Sequence, residues 1–160
     1  MPIQPKQYAV GLLTEGMPYD PGPPVVNPRF PKMALENPLG SGVTGEVSKI
    51  IVNNGGGDST YAHAISFEPL TGGYITHDVV MQSGHEVVSD GGTSKLVVRH
   101  GTAASSTPQE ASMFYLEIGL GGVVTIDLPP GMLVKPGWAL LVCGGGPSES
   151  LGVNFVWKES

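Results

Sequence analysis

Short apolar runs, separated by glycine and proline turns, set the pattern of this chain from Gly45 onward. Residues 46–53 alternate between polar and apolar positions, become apolar at Ile50–Val52, and lead into the glycine-rich stretch 53–57. A period of two places one side of a strand against a core and leaves the other in water, and clustered glycines mark turns. We therefore expect a β-strand here.

The same pattern predicts further strands at 61–68, 74–81, 85–88, 94–99, 112–120 and 123–128. Ser83–Gly84 and Gly121–Gly122 have the composition of tight hairpin loops between neighbouring strands. Residues 102–111 are small and polar, which is typical of a surface loop.

The last thirty residues carry the strongest strand signals. An apolar run, Trp138–Cys143, follows a Pro136–Gly137 corner and ends in the glycine loop 144–146. The final strand alternates, with Val153, Phe155 and Trp157 on one side. Such a strand has to be docked inside a sheet, because it would otherwise expose large apolar side chains and an unpaired edge. We expect both tryptophans in the core.

The tally after residue 45 is eight or nine strands and no long helical pattern. The chain of 160 residues contains 24 Gly and 15 Pro, which leaves almost no room for a helix of about 11–12 residues. We therefore predict an all-β protein, a jelly-roll-type β-sandwich spanning residues 43–160.

The segment Met1–Gly42 differs, because it holds nine of the 15 prolines. Proline is disfavoured in central strands and in helices, so we predict an extended, proline-rich N-terminal arm. The arm also carries apolar side chains that need a surface, either its own domain or a partner chain. The predicted partner-binding residues are Tyr8, Leu12, Leu13, Met17, Tyr19, Val25, Val26, Phe30, Met33 and Leu35.

Charge and composition exclude several classes of partner. The net charge is −6, from 14 acidic residues against 8 Lys and Arg, and no basic run exists, so nucleic acid is not expected as a partner. No apolar stretch approaches the 18 residues of a membrane span, and no secretory signal is evident. The single Cys143 follows an apolar run and is predicted to be a small buried hydrophobe in a reducing compartment.

Catalytic signatures are missing, so we predict no enzyme, no cofactor and no metal. His77 and His85 could lie close together across a Ser83–Gly84 hairpin, with Asp78 or Glu86 nearby, and form a cupin-like metal site. The alternative is that the two histidines make polar contacts across neighbouring strands on a solvent-exposed face. The glycines at 119–122 lack the helix that a dinucleotide loop needs. Four glutamates fall in predicted strands: Glu46, Glu68, Glu86 and Glu117. A solvent-exposed strand face explains them more simply than the pair of catalytic carboxylates of a glycosidase.

The C-terminal block resembles a group of viral proteins. Its elements are Pro130–Gly131, the Pro136–Gly137 corner with the strand from Trp138, a small loop, and a final strand ending in Trp157-Lys158-Glu159. This order is similar to that of bacteriophage virion proteins with a jelly-roll domain, which include trimeric capsid decoration (cement) proteins and the knobs of head or tail fibres.

That resemblance implies a function. It implies a homotrimer on the outer surface of a phage head, made in the host cytoplasm, with the major capsid protein as partner and the arm as the main contact. Deleting Met1–Gly42 is then expected to abolish capsid binding and to leave the domain folded. The alternatives are a fibre knob that recognises a host glycan or protein through loops 102–108 or 144–148, and a cupin-like metalloenzyme.

Overall fold

One hydrogen-bonded path of antiparallel strands folds over into two layers. The computed structural model describes residues 7–55, 61–70, 77–86, 93–105 and 113–160, with the backbone alone for Tyr61 and for 77–86. Its eleven strands are β1 (Gln7–Glu15), β2 (Phe30–Asn37), β3 (Gly45–Asn54), β4 (Tyr61–Pro69), β5 (His77–Glu86), β6 (Thr93–Ala103), β7 (Phe114–Ile118), β8 (Val123–Asp127), β9 (Leu133–Val134), β10 (Trp138–Cys143) and β11 (Ser150–Glu159). The described ranges contain no α-helix.

The strand order defines the two layers. The path runs β7-β4-β10-β2-β6-β5-β1-β11-β3-β8, and β9 pairs with β3. We call β7-β4-β10-β2-β6 layer A and β1-β11-β3-β8 with β9 layer B; β5 joins them. Strand β2 also contacts β1 and β11, which are not its neighbours in the path, so the layers face each other. The predicted all-β sandwich is confirmed, and nine of its strands follow residue 45.

The main core lies between the two layers. Layer A contributes every second residue of its strands, and layer B does the same, as the period of two requires. The largest fully buried side chains of this core are Met33, Leu35, Ile50, Ile65, Leu96, Leu140, Leu151, Phe155 and Trp157. Strand β11 lies between β1 and β3 in the sheet, which confirms that the C-terminal strand is docked inside it.

Layer A is buried on its second face as well. The outward-pointing Ala34, Ala64, Ala139, Leu141 and Cys143 form a second cluster of buried side chains. This double burial explains why β10 reads as an unbroken apolar run and not as an alternating one.

The predicted N-terminal arm is wrong for the residues described in it. β1 lies between β5 and β11, and β2 lies between β6 and β10, so both are interior strands of the same sheet as the rest of the chain. The prolines do not prevent this because of where they fall. Residues 7–17 contain none, and the other prolines of the described part of the segment cluster between the two strands or lie at the ends of β2. Residues 1–6 lie outside the described part.

Two predicted hairpins are also wrong. β5 runs through Ser83–Gly84 as one strand along β6, with a register shift between Ser83 and His85. The Gly121–Gly122 turn connects β7 to β8, but β7 pairs with β4 and β8 with β3. The turn therefore crosses from the edge of layer A to the edge of layer B. Buried Asn54 stabilises this turn. Its side-chain amide donates a hydrogen bond of 2.9 Å to Ile118 O, and its backbone forms hydrogen bonds with Gly121 and Gly122.

Candidate interaction surfaces

The ten predicted partner-binding residues divide into buried and exposed groups. Tyr8, Met33 and Leu35 are core residues, so the prediction that they contact a partner is wrong: their strands are interior and their side chains fill the sandwich. Leu12 packs against the same core. The half-buried members are Met17, Val26 and Phe30, and the exposed members are Leu13, Tyr19 and Val25.

Layer B has a solvent-facing side that we call the open face. It consists of three rows of four residues across β1, β11, β3 and β8: Ala9, Val156, Lys49, Asp127; Gly11, Asn154, Ile51, Thr125; and Leu13, Gly152, Asn53, Val123. Leu13 is 56% exposed and Val123 61% exposed. Within these three rows the charged residues are Lys49 and Asp127, which form an ion pair of 3.8 Å, while Glu15, Lys158 and Glu46 lie in the rows at either end. In a protein of net charge −6, this face is neutral and partly apolar.

The open face is also flat. A Cβ at Gly11 would lie 1.7 Å from Asn154 Oδ1, and one at Gly152 would lie 2.0 Å from Asn53 Oδ1. The two asparagine side chains therefore lie across the neighbouring glycines and occupy the space that larger residues would need. Glycine within a strand often marks such a close approach.

The second exposed feature is a proline-rich hairpin, residues 16–30, which joins β1 to β2. Met17 and Arg29 form one antiparallel bridge and Asp20 and Val26 another, with four backbone hydrogen bonds of 2.7–2.9 Å. At the base, Gly16 N donates to Glu149 O, and Arg29 Nη2 donates to Thr102 O at 3.2 Å. The exposed residues of the hairpin are Pro18, Tyr19, Asp20, Pro21, Pro23, Pro24, Val25 and Asn27.

The third feature is a small apolar pocket at the opposite end of the sandwich, lined by Phe67, Leu133, Lys135 and Trp138. We call it the Trp138 pocket; its volume is about 80 Å³. Trp138 is 42% exposed, so the prediction that it lies in the core is wrong. Its position follows from the turn before it, where Gly137 has φ +85° and Trp138 N donates to Lys135 O. This is the geometry of a type II turn, and it places Trp138 at the first position of β10, beyond the filled part of the core.

The predicted pair of histidines is not brought together. His77 and His85 lie at opposite ends of β5, opposite Thr102 and Thr93 of β6. Eight residues of extended strand span about 26 Å, so the two cannot bind one metal ion. Within the described ranges, no group of three His, Cys, Asp or Glu residues could hold a metal.

The buried polar groups that the structure describes make structural contacts. His63 Nε2 and Glu149 Oε1 form a hydrogen bond without solvent exposure, and Glu149 Oε2 accepts from Gly146 N at 3.4 Å. This pair lies next to the loop 144–148, in which Gly144 and Gly146 are buried and Ser148 is exposed. Burial raises the pKa of the Cys143 thiol to about 12, which confirms the prediction of a buried cysteine.

The described strand glutamates are not paired with one another. Glu46 lies opposite Leu133 and Lys158, and Glu117 lies opposite Ala62. Glu68 is fully buried and accepts a hydrogen bond of 3.0 Å from Ser66 Oγ. No two of the three are neighbours across a pair of strands, as a glycosidase pair would require.

Comparison with protein-family models, with curated proteins and with solved structures finds no match for this chain. Among the described residues, no helix has the length and hydropathy to cross a membrane. The three exposed surfaces are therefore the features from which a function can be argued.

Proposed function

We propose that this chain is a structural protein of a virus particle that binds the outer surface of a capsid as a decoration protein. The observation that carries the proposal is the open face of layer B, a flat and neutral surface on an acidic protein. Exposed apolar patches rimmed by polar residues mark sites of association on soluble proteins, and this face exposes Leu13 and Val123 among polar neighbours. The resemblance of the C-terminal block to phage virion jelly-roll proteins is the reason for proposing a capsid as the partner.

The size of the open face suggests how binding works. Four strands about 4.8 Å apart and three rows about 6.7 Å apart cover about 400 Å². A stable interface needs about 800 Å² per partner. A single copy is therefore expected to bind weakly, and a symmetric shell would compensate by presenting many sites to linked copies.

Deletion of Met1–Gly42 does not test this proposal, because it would remove two interior strands. A sharper test introduces charge on the open face. We expect Leu13→Lys/Val123→Lys to fold normally and to lose decoration of purified heads, measured as the copy number seen by electron microscopy. Tyr115→Lys is the matched control, because Tyr115 is 70% exposed and lies on the edge strand of layer A. A folded double variant that decorates at full occupancy would contradict the proposal.

The fibre-knob alternative stays a prediction. Of the loops named for it, residues 106–108 lie outside the described part, and in the loop 144–148 Gly144 and Gly146 are buried and Ser148 is exposed. The same micrographs distinguish the two functions, since a knob would be seen on fibres and not over the head.

A further inference from the structure

We propose that copies of this chain associate head to tail, with the proline-rich hairpin of one copy seated on the Trp138 pocket of the next. This inference does not depend on capsid binding, and it concerns two surfaces that the proposed function leaves unused.

The Trp138 pocket has the size and chemistry for a small inserted group. Small-molecule sites usually measure about 300–1,000 Å³, whereas this pocket of about 80 Å³ has room for one ring or aliphatic side chain. Its walls are aromatic and aliphatic, and Leu39, 84% exposed, lies beside it against Gly137. Exposed Trp at such a position is typical of the residues that dominate binding in protein interfaces.

The hairpin offers the complementary group. Aromatic-lined grooves bind proline-rich segments in the extended polyproline II form. The prolines here lie in a hairpin, and what they share with such ligands is a rigid apolar surface. Residues 18–25, with the sequence Pro-Tyr-Asp-Pro-Gly-Pro-Pro-Val, display four prolines together with Tyr19 and Val25, which are 59% and 62% exposed. The two bridges at Met17–Arg29 and Asp20–Val26 hold this segment in shape, so little conformational entropy is lost on binding.

The charges of the two surfaces are complementary. Lys135 is exposed at the pocket, and Asp20 is exposed on the hairpin. An ion pair at the rim of an interface adds little affinity, but it favours one orientation over others.

The topology excludes contact between the two surfaces within one chain. The hairpin precedes Phe30 at the start of β2, and Trp138 lies opposite Asn37 at the end of the same strand. The eight residues of β2 separate the two by about 26 Å. A hairpin seated on the pocket therefore belongs to another copy. Such a contact joins different surfaces, so it produces either a closed ring or an open chain.

The direction of the contact suits the proposed function. The line from hairpin to pocket follows the strands, and it is therefore parallel to the open face. Copies lying on a shell by their open faces would contact one another sideways, and this would link many weak attachments.

The test measures self-association of the full-length protein by sedimentation velocity at rising concentration. We expect wild-type protein to form oligomers, and we expect Trp138→Ala and Tyr19→Ala/Val25→Asp to sediment as monomers that still unfold cooperatively. Tyr115→Ala is the control that should associate like wild type, because Tyr115 is exposed on β7 and belongs to neither the pocket lining nor the hairpin. Asp20→Lys should weaken association, because it faces Lys135 with a second positive charge, and the charge reversal Lys135→Glu/Asp20→Lys should restore it.

Mixing two defective variants gives the decisive result. A Trp138→Ala chain keeps its hairpin, and a Tyr19→Ala/Val25→Asp chain keeps its pocket, so a head-to-tail contact predicts that the mixture forms 1:1 dimers. A wild-type protein that stays monomeric at millimolar concentration, or a mixture without dimers, would overturn the proposal.

Quenching by iodide supplies an independent readout, because Trp157 is fully buried and Trp138 is not. Association should shield Trp138 in step with oligomer formation. Shielding of a monomer by an added oligosaccharide or a foreign proline-rich peptide would assign the pocket to another ligand and would also overturn the proposal. The open-face variants distinguish this inference from the proposed function, because they should lose capsid binding and should still oligomerise.

Discussion

The ring of Tyr8 stacks on the ring of Trp157, with centroids 6.1 Å apart and planes inclined by 26°. The two residues are also directly opposite each other in the pairing of β1 with β11. Strands β1 and β11, the first described strand and the last strand of the chain, thus share a buried aromatic contact. Residues of the predicted arm belong to the core, and they determine whether the sandwich forms.

Removal of either ring should therefore destabilise the protein strongly. We expect Tyr8→Ala and Trp157→Ala each to lower the free energy of unfolding by about 3–5 kcal/mol, because an aromatic core residue leaves a cavity. Urea unfolding followed by fluorescence measures this. Tyr19→Ala is the control: Tyr19 is 59% exposed, and its loss should change stability by no more than about 0.5 kcal/mol. A Tyr8→Ala variant as stable as this control would show that β1 is dispensable.

The sequence predicts β3, β4, β6, β7, β8, β10 and β11 because these strands alternate visibly or are bounded by glycines. It misplaces β1 and β2 because a count of prolines over Met1–Gly42 ignores their positions. A proline in a hairpin or at a strand end costs the sheet nothing, and those are the places where they lie. The positions of the prolines, and not their number, were the usable signal.

The surfaces were harder to predict, for a related reason. Trp138 begins an apolar run, and composition alone cannot show that the first residue of a strand projects beyond the core. The Pro136–Gly137 turn directly before it was the available signal. The open face combines residues of four strands that are distant in sequence, such as Leu13 and Val123, and register is needed to bring them together.

The buried pair of His63 and Glu149 gives a second prediction. Removing one partner deletes a buried hydrogen bond of the other, which typically costs about 1–3 kcal/mol. We expect His63→Ala and Glu149→Ala each to show a loss of this order in urea unfolding. The double variant should lose less than the sum, since the two single variants delete the same hydrogen bond. Strict additivity of the two losses would show that the pair does not interact.

The thiol of Cys143 should be inert in the native protein. With a pKa of about 12, almost none of it is thiolate at pH 8, and the thiolate is the reactive form. A thiol-specific chromogenic reagent is therefore expected to react with urea-unfolded protein within minutes and with native protein only at the rate of unfolding. Rapid labelling of the native protein would contradict the burial of this side chain.

The same pKa predicts how stability changes at alkaline pH. The folded state holds the Cys143 proton more tightly than the unfolded state, where the pKa is near 9.0. The contribution of this group is thus complete below pH 9 and is lost as the pH rises toward 12. The difference in unfolding free energy between wild type and Cys143→Ala, measured across this range, should shrink with rising pH. A difference in unfolding free energy that stays constant across this pH range would contradict a raised pKa for Cys143.

Two glycines on either side of Glu15 should respond differently to the same change. A Cβ at Gly16 would lie 2.2 Å from Pro147 O and 2.8 Å from Arg29 O, both backbone atoms at the base of the hairpin. A Cβ at Gly11 would meet only the side chain of Asn154, which is exposed and can turn away. We expect Gly16→Ala to cost about 1–3 kcal/mol through overpacking, and Gly11→Ala to change stability by no more than about 0.5 kcal/mol.

The Gly11→Ala variant then separates folding from binding, because the displaced Asn154 side chain would stand out from the open face. Its unfolding free energy should match that of wild type, while its occupancy on capsids should fall. Full occupancy with Gly11→Ala would show that the flatness of the face is not what a partner recognises.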